Sequence, residues 1–143
     1  MMDPFPTVIL LATDGSEEAR TASRMAVGIA QGTGSELHLV HVGGMGGADP
    51  RLYEQMRRNA QSLLEEQAGE LREAGAKIAK RHLKNGRPEQ EIVALAEELG
   101  AGLIVMGSRG FGGMKRTLMG SVSDSVVRHA HCPVLVARGS RPR

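Results

Sequence analysis

The stretch Leu103-Ile-Val-Met-Gly-Ser-Arg-Gly-Phe-Gly-Gly-Met-Lys-Arg-Thr-Leu-Met-Gly-Ser-Val-Ser-Asp-Ser-Val-Val-Arg-His-Ala130 carries the fold in miniature. It begins with four apolar residues, too few for a helix and suited to a strand buried on both faces. Five glycines follow between Gly107 and Gly120. From Ser121 the pattern turns helical, with Val122, Val126, Val127 and Ala130 expected on the inner side. His129 and His131 straddle the helix end, where a positive imidazolium suits the dipole. Pro133 to Ala137 then reads as another strand.

The same alternation runs backwards through the chain. Thr7-Val-Ile-Leu-Leu-Ala-Thr13 is a continuous apolar run between Pro6 and Gly15, again the mark of a doubly buried strand. Ser16 can cap a helix by accepting from its free amides. Ala22, Met25, Ala26, Ile29 and Ala30 recur at helical spacing, and Gly32 to Gly34 ends the helix. Glu36 to Val42 is a second strand. Gly43, Gly44, Gly46 and Gly47 follow, a loop that no side chain can pin and a candidate cover for a ligand. Pro50 opens a long helix with Met56, Ala60, Leu63, Leu64 and Leu71 on one face, while Tyr53 and its charged residues make a solvated face. Ala76 to Lys84, with Ile78 and Leu83, is a weaker strand whose basic residues suit a sheet edge. Pro88 sits where a first helical residue needs no amide, and Ile92, Leu95, Ala96 and Leu99 form that helix's stripe.

The order βαβαβαβαβ predicts an α/β fold, a parallel sheet with helices on both faces and right-handed crossovers. One domain of residues 1–138 and a basic tail of residues 139–143 account for the 143 residues.

Composition narrows the function. Aromatic residues are 2% of the chain, only Phe5, Tyr53 and Phe111. That excludes a stacking platform for single-stranded nucleic acid and an aromatic carbohydrate cleft. The net charge is +2. Arg138, Arg141 and Arg143 account for the excess, so the body lacks the basic field of a nucleic-acid binder. The single cysteine, Cys132, forms no internal disulfide, predicts a reducing, cytoplasmic setting and packs as a small hydrophobe. No run approaches roughly 18 consecutive apolar residues, so no membrane span is expected. No basic start leads into an apolar stretch, so no signal peptide is expected. His38 and His41 lie three apart on a strand and face opposite sides, a poor metal pair.

In a parallel sheet, ligands bind beyond the strands' carboxyl ends, where strand order reverses. Thr13-Asp14-Gly15-Ser16 follows the first strand, and Val42 ends the second. The segment from Gly107 to Ser121 follows the fourth. Gly107 and Gly110 can adopt positive φ and let the backbone approach a ligand. Gly120-Ser121-Val122-Ser123 starts a helix whose free amides and dipole suit phosphate, with Arg109, Lys115 and Arg116 adding charge. The segment is neither a Walker loop, lacking the glycine-lysine-serine/threonine triplet, nor a three-glycine dinucleotide turn. A flexible linker capped by Ser121 is its plainer alternative. Asp14 likewise reads as a turn or cap residue or as a ligand contact.

The spacing Gly107-x2-Gly110-x9-Gly120-Ser121, the flanking Ile-Val-Met-Gly-Ser-Arg-Gly, the closing His-Cys-Pro-Val-Leu-Val and the Asp-Gly-Ser after the first strand together resemble the universal stress protein family. The resemblance implies a Rossmann-like, adenine nucleotide alpha hydrolase-like fold, with a five-stranded parallel sheet of order 3-2-1-4-5 and four helices. It implies an ATP site. Thr13 would belong to the nucleotide site, Asp14 would sit near the ribose or a phosphate-bound Mg²⁺, and the Val42 backbone would meet the adenine edge. Met106 and Gly107 would lie beneath ribose and adenine. Gly110, Gly120, Ser121, Val122 and Ser123 would hold the phosphates, with Arg109 a further contact. Family members commonly form homodimers through the last strand, here Val134 to Val136. The expected function is an ATP-binding, nucleotide-dependent regulatory or stress-response protein. A slow ATPase and a dimeric scaffold binding AMP or a cyclic nucleotide are the alternatives. No dedicated general base, fixed arginine finger or Walker lysine is recognisable, so any hydrolysis is expected to be slow.

Overall fold

The computed structural model describes residues 6–44, 49–108 and 120–138. The chain runs β1 (Val8–Ala12), α1 (Glu17–Thr33), β2 (Glu36–Gly43), α2 (Pro50–Glu73), β3 (Ile78–Asn85), α3 (Pro88–Leu99), β4 (Leu103–Gly107), α4 (Ser121–His129) and β5 (Val134–Ala137). The five strands form one sheet in the order β3-β2-β1-β4-β5, and every neighbouring pair is parallel. The expected order is therefore the observed one. The lysine-bearing β3 lies at one edge and the short β5 at the other.

Strand pleating divides the core into two layers. Ile9, Leu11, Leu37, Leu39 and Val105 face α1 and α2, where Ala22, Ala26, Leu64, Ala68 and Leu71 meet them. Leu10, Ala12, Val40, Val42, Ile104 and Met106 face the other way, against Ile92, Leu95 and Val126. Both sides of β1 are thus buried, which its unbroken apolar run anticipates.

Local chemistry sets the helix ends. The Ser16 hydroxyl accepts from the Ala19 amide at 3.1 Å. Gly34, at φ 72°, closes α1 in the left-handed conformation that glycine adopts without strain. Asp49 caps α2 and Pro50 is its first residue. Pro88 likewise opens α3.

Three helical residues expected inside lie outside. Met25 is 46% exposed, Met56 43% and Val127 46%. In α1 the inner stripe runs through Ala19, Ala22, Ala26, Val27 and Ala30, and Met25 falls past its margin. The buried residues of α2 start at Leu64, because a cleft separates its first turns from the carboxyl ends of β2 and β3. In α4, Val126 takes the core position and its neighbour Val127 turns out. Of the glycine loop expected after β2, residues 45–48 lie outside the described residues.

Candidate functional site

The crevice where strand order reverses lies between the carboxyl ends of β1 and β4. On its β1 side, Thr13 is fully buried. Its amide still donates to the Val40 carbonyl at 2.9 Å, and its hydroxyl donates to Gln67 Oε1 on α2. The side chain is therefore committed to the interior. Asp14 follows, half-buried, and its Oδ1 accepts from the Ser16 amide at 2.9 Å. This Asx-type turn is the plainer role foreseen for Asp14. It also fixes the carboxylate at the mouth of the crevice.

On the β4 side, the Met106 side chain is sealed in the second core layer. Gly107 is the last residue of β4 and is buried. It is not among the glycines at positive φ, so it does not use that freedom. A Cβ there would come within 2.8 Å of Glu18 C and Cβ and 2.9 Å of the Ala19 amide nitrogen. The missing side chain thus lets β4 approach the first turn of α1. Arg109 and Gly110, with Lys115 and Arg116, lie outside the described residues.

Ser108, just past β4, holds α4 in place. Its carbonyl accepts from the Gly120 amide at 2.6 Å and from the Ser123 hydroxyl at 2.8 Å. Its own amide donates to the Ala137 carbonyl of β5 at 2.8 Å. Ser123 is 2% exposed, so its hydroxyl fastens the helix internally. Ser121 is exposed and Val122 half-buried. Gly120 is the cap residue and, among the described residues, no side chain caps the helix. The first-turn amides of Ser121, Val122 and Ser123 have no partner within the helix, and the positive end of its dipole lies there.

A cleft of about 660 Å³ opens beside this crevice, past the ends of β2 and β3 and beneath the first turns of α2. His41, Val42, Tyr53, Met56, Arg57 and Leu63 are among its lining residues. Leu63 also stands 3.0 Å from where a Gly15 Cβ would be, so one wall residue of the cleft backs the β1–α1 turn. The Tyr53 hydroxyl is bonded to the Asn85 side chain at the cleft wall. Arg57 pairs with Glu54 at 2.6 Å. This exposed pair draws the Glu54 carboxyl below its usual range, chiefly through the Arg57 hydrogen bond.

Two polar contacts lie beyond what local pattern indicates. His41 Nδ1 is 2.8 Å from the Thr13 carbonyl oxygen. His38 Nδ1 is 3.0 Å from His82 Nε2. Burial, then the charges of His38, Lys80 and Lys84, lower the His82 pKa to about 4. Gln67 left a visible trace in sequence, being the polar member of an otherwise apolar stripe with Leu64, Ala68 and Leu71. Ser108 sits inside the glycine-rich stretch without a distinguishing neighbour.

The remaining candidates stand apart. His129 bonds the Ser125 carbonyl of its own helix, and His131 pairs with Glu97 at 3.1 Å. Cys132 is half-buried against the second core layer, and burial pushes its thiol pKa up. Among the described residues no group of three or more His, Cys, Asp or Glu side chains could hold a metal ion, and no helix is long and apolar enough to cross a membrane.

Comparison with known proteins bears on the whole chain. A family model described as the universal stress protein family matches residues 7–138. A protein of Staphylococcus aureus strain USA300 named as a universal stress protein is 37% identical over 142 residues, covering 91% of this chain and 82% of the relative. Among solved structures, a universal stress protein in complex with cAMP superposes with a TM-score of 0.77 at 25% identity, covering 94% of this chain and 99% of the other. The universal stress protein from Archaeoglobus fulgidus in complex with dAMP gives a TM-score of 0.73 at 27% identity, covering 96% and 100%.

Proposed function

Because the chain belongs to the universal stress protein family, we propose that it is a nucleotide-dependent regulatory protein that binds ATP with Mg²⁺ at the β1–β4 crevice. The observation that carries this reading is the start of α4. Among the described residues no side chain caps it, yet Ser108 pins it against the end of β4 through Gly120 and Ser123. A fixed, uncapped helix start is chemistry suited to phosphate oxygens. The residues present fit the ligand in kind. The amides of Ser121, Val122 and Ser123 and the Ser121 hydroxyl would hold phosphates, with Gly110 and Arg109 contributing from the preceding segment. The Asp14 carboxylate, set at the β1 exit by Ser16, would meet the ribose or the Mg²⁺ that accompanies the phosphates. The backbones of Thr13, Val42, Met106 and Gly107 would frame the adenosine, since the side chains of Thr13, Val42 and Met106 are turned into the core.

Relatives in complex with cAMP and dAMP favour a second reading, in which the physiological ligand is an adenosine monophosphate or cyclic nucleotide on the same crevice. ATP occupancy would act by favouring one conformation or partner surface, and any turnover would be slow. Two copies would pair through β5, an edge strand with half-buried Val134, Leu135 and Val136, since such pairing covers unpaired backbone groups. Sedimentation velocity is expected to give a dimer; a concentration-independent monomer would refute that part. The single cysteine suits a cytoplasmic setting.

The deciding experiment is calorimetric titration of nucleotide-free protein with ATP, AMP and cAMP, with and without Mg²⁺. Saturation near one ATP per chain, strengthened by Mg²⁺, is the expected result. Tighter binding of AMP or cAMP would favour the second reading. No binding by the folded protein would overturn both.

A further inference from the structure

The β1–β2 ladder runs from Val8 opposite Glu36 to Ala12 opposite Val40. Beyond it, the Thr13 amide donates to the Val40 carbonyl at 2.9 Å. A side chain makes the next rung, His41 Nδ1 lying 2.8 Å from the Thr13 carbonyl oxygen. A carbonyl only accepts, so Nδ1 carries the proton, and in the neutral imidazole Nε2 is then a bare lone pair. The ring is half-buried and lines the 660 Å³ cleft beside Val42 and Gly43. Thr13, its partner, has spent its own hydroxyl on Gln67.

We infer that His41 is a specificity-determining residue of the nucleotide site, its Nε2 accepting a hydrogen bond from the adenosine moiety. The inference rests on the adenine-nucleotide reading above. His41 precedes Val42, at the proposed adenine edge, and is bonded to the residue before Asp14, at the proposed ribose edge. A base at one and a sugar at the other bracket the imidazole. A lone pair there selects a donor, and the adenosine moiety has two kinds, the ribose hydroxyls and the 6-amino group.

The test compares AMP, 2′-deoxy-AMP, 3′-deoxy-AMP and IMP by calorimetry on the wild-type protein, His41→Phe and His41→Gln. The wild type should prefer AMP over one analogue lacking a donor by about 3–10-fold, as one hydrogen bond supplies. Loss against a deoxynucleotide identifies a ribose hydroxyl, and loss against IMP identifies the amine. His41→Phe should flatten that ratio. His41→Gln can donate to Thr13 and still accept, so it should restore part of it. In the wild type, the Nε2 ¹⁵N resonance should shift on saturation with AMP and not with the discriminated analogue, which keeps the test decisive if His41→Phe does not fold. Unchanged ratios in His41→Phe, or an Nε2 resonance indifferent to AMP, would reduce His41 to a strand tether and overturn the inference. Failure of the wild type to bind any adenine nucleotide would instead refute the parent reading, and the inference with it.

Discussion

His38 and His82 meet across β2 and β3 with their rings stacked at 5.3 Å and Nδ1 of the first 3.0 Å from Nε2 of the second. Each residue is 8% exposed. One proton serves the contact, and a second charge would face its neighbour as well as Lys80 and Lys84 on β3. Glu98 on α3 and Glu36, 3.4 Å from His38 Nε2, offset this only in part. Burial and these charges pull the His82 pKa from 6.5 to about 4.

The sign of the pH dependence follows. Between those two values the unfolded chain binds a proton that the folded chain does not, so stability falls as pH falls. Well above pH 6.5 His82 contributes no slope. By pH 5 the loss from His82 should reach about 2 kcal/mol at most. Urea unfolding across this range should show the decline, and His82→Gln, which keeps a donor for His38, should flatten it. An equal decline in His82→Gln would assign the acid sensitivity to other groups.

Gly107 and Gly28 should respond oppositely to alanine. A Cβ at Gly107 would strike Glu18 and Ala19, including backbone atoms, at 2.8–2.9 Å, and backbone cannot swing aside as a flexible side-chain tip can. Gly107→Ala should cost about 1–3 kcal/mol. Gly28 sits inside α1 with nothing within 4 Å of its missing Cβ, so Gly28→Ala should stabilise by about 0.5–1 kcal/mol. Midpoints of urea unfolding measure both. A neutral Gly107→Ala would mean that α1 and β4 separate easily.

What sequence could convey follows from the range of each interaction. β1 was legible because burial on both faces leaves an unbroken apolar run, and α3 because Pro88 and the stripe Ile92, Leu95 and Ala96 are local signals. The glycine spacing and Gly120-Ser121 are equally local signals. Met25, Met56 and Val127 were misplaced because helical spacing alone does not say where a stripe ends or whether a sheet lies beneath. Gly107 can adopt positive φ but does not; its missing side chain admits α1, a contact with residues far away in sequence. The His38–His82 contact spans 44 positions and the Thr13–His41 contact spans 28; only the sheet brings either pair together.

Ser121 and Ser123, adjacent in motif, should separate by assay. The Ser123 hydroxyl is buried and donates to the Ser108 carbonyl, so Ser123→Ala should destabilise the protein by about 1 kcal/mol. Ser121 is exposed at the helix start. Ser121→Ala should leave stability within about 0.5 kcal/mol and weaken ATP about 3–10-fold. Thermal unfolding paired with calorimetry distinguishes them. Lost stability without lost affinity in Ser121→Ala would remove that hydroxyl from the phosphate site.

Asp14 has a turn role on display and a charge role proposed, and two substitutions divide them. Asn keeps an oxygen for the Ser16 amide, which Asp14 Oδ1 now accepts at 2.9 Å, but removes the charge. Ala removes both. Asp14→Asn should therefore stay within about 0.5 kcal/mol of the wild type in stability, while losing most of the Mg²⁺ enhancement of ATP binding and leaving adenosine binding intact. Asp14→Ala should add a stability loss of about 1 kcal/mol from the unmade turn. Should Asp14→Asn bind Mg-ATP like the wild type while Asp14→Ala does not, the carboxylate's charge is irrelevant and only the turn shapes the crevice.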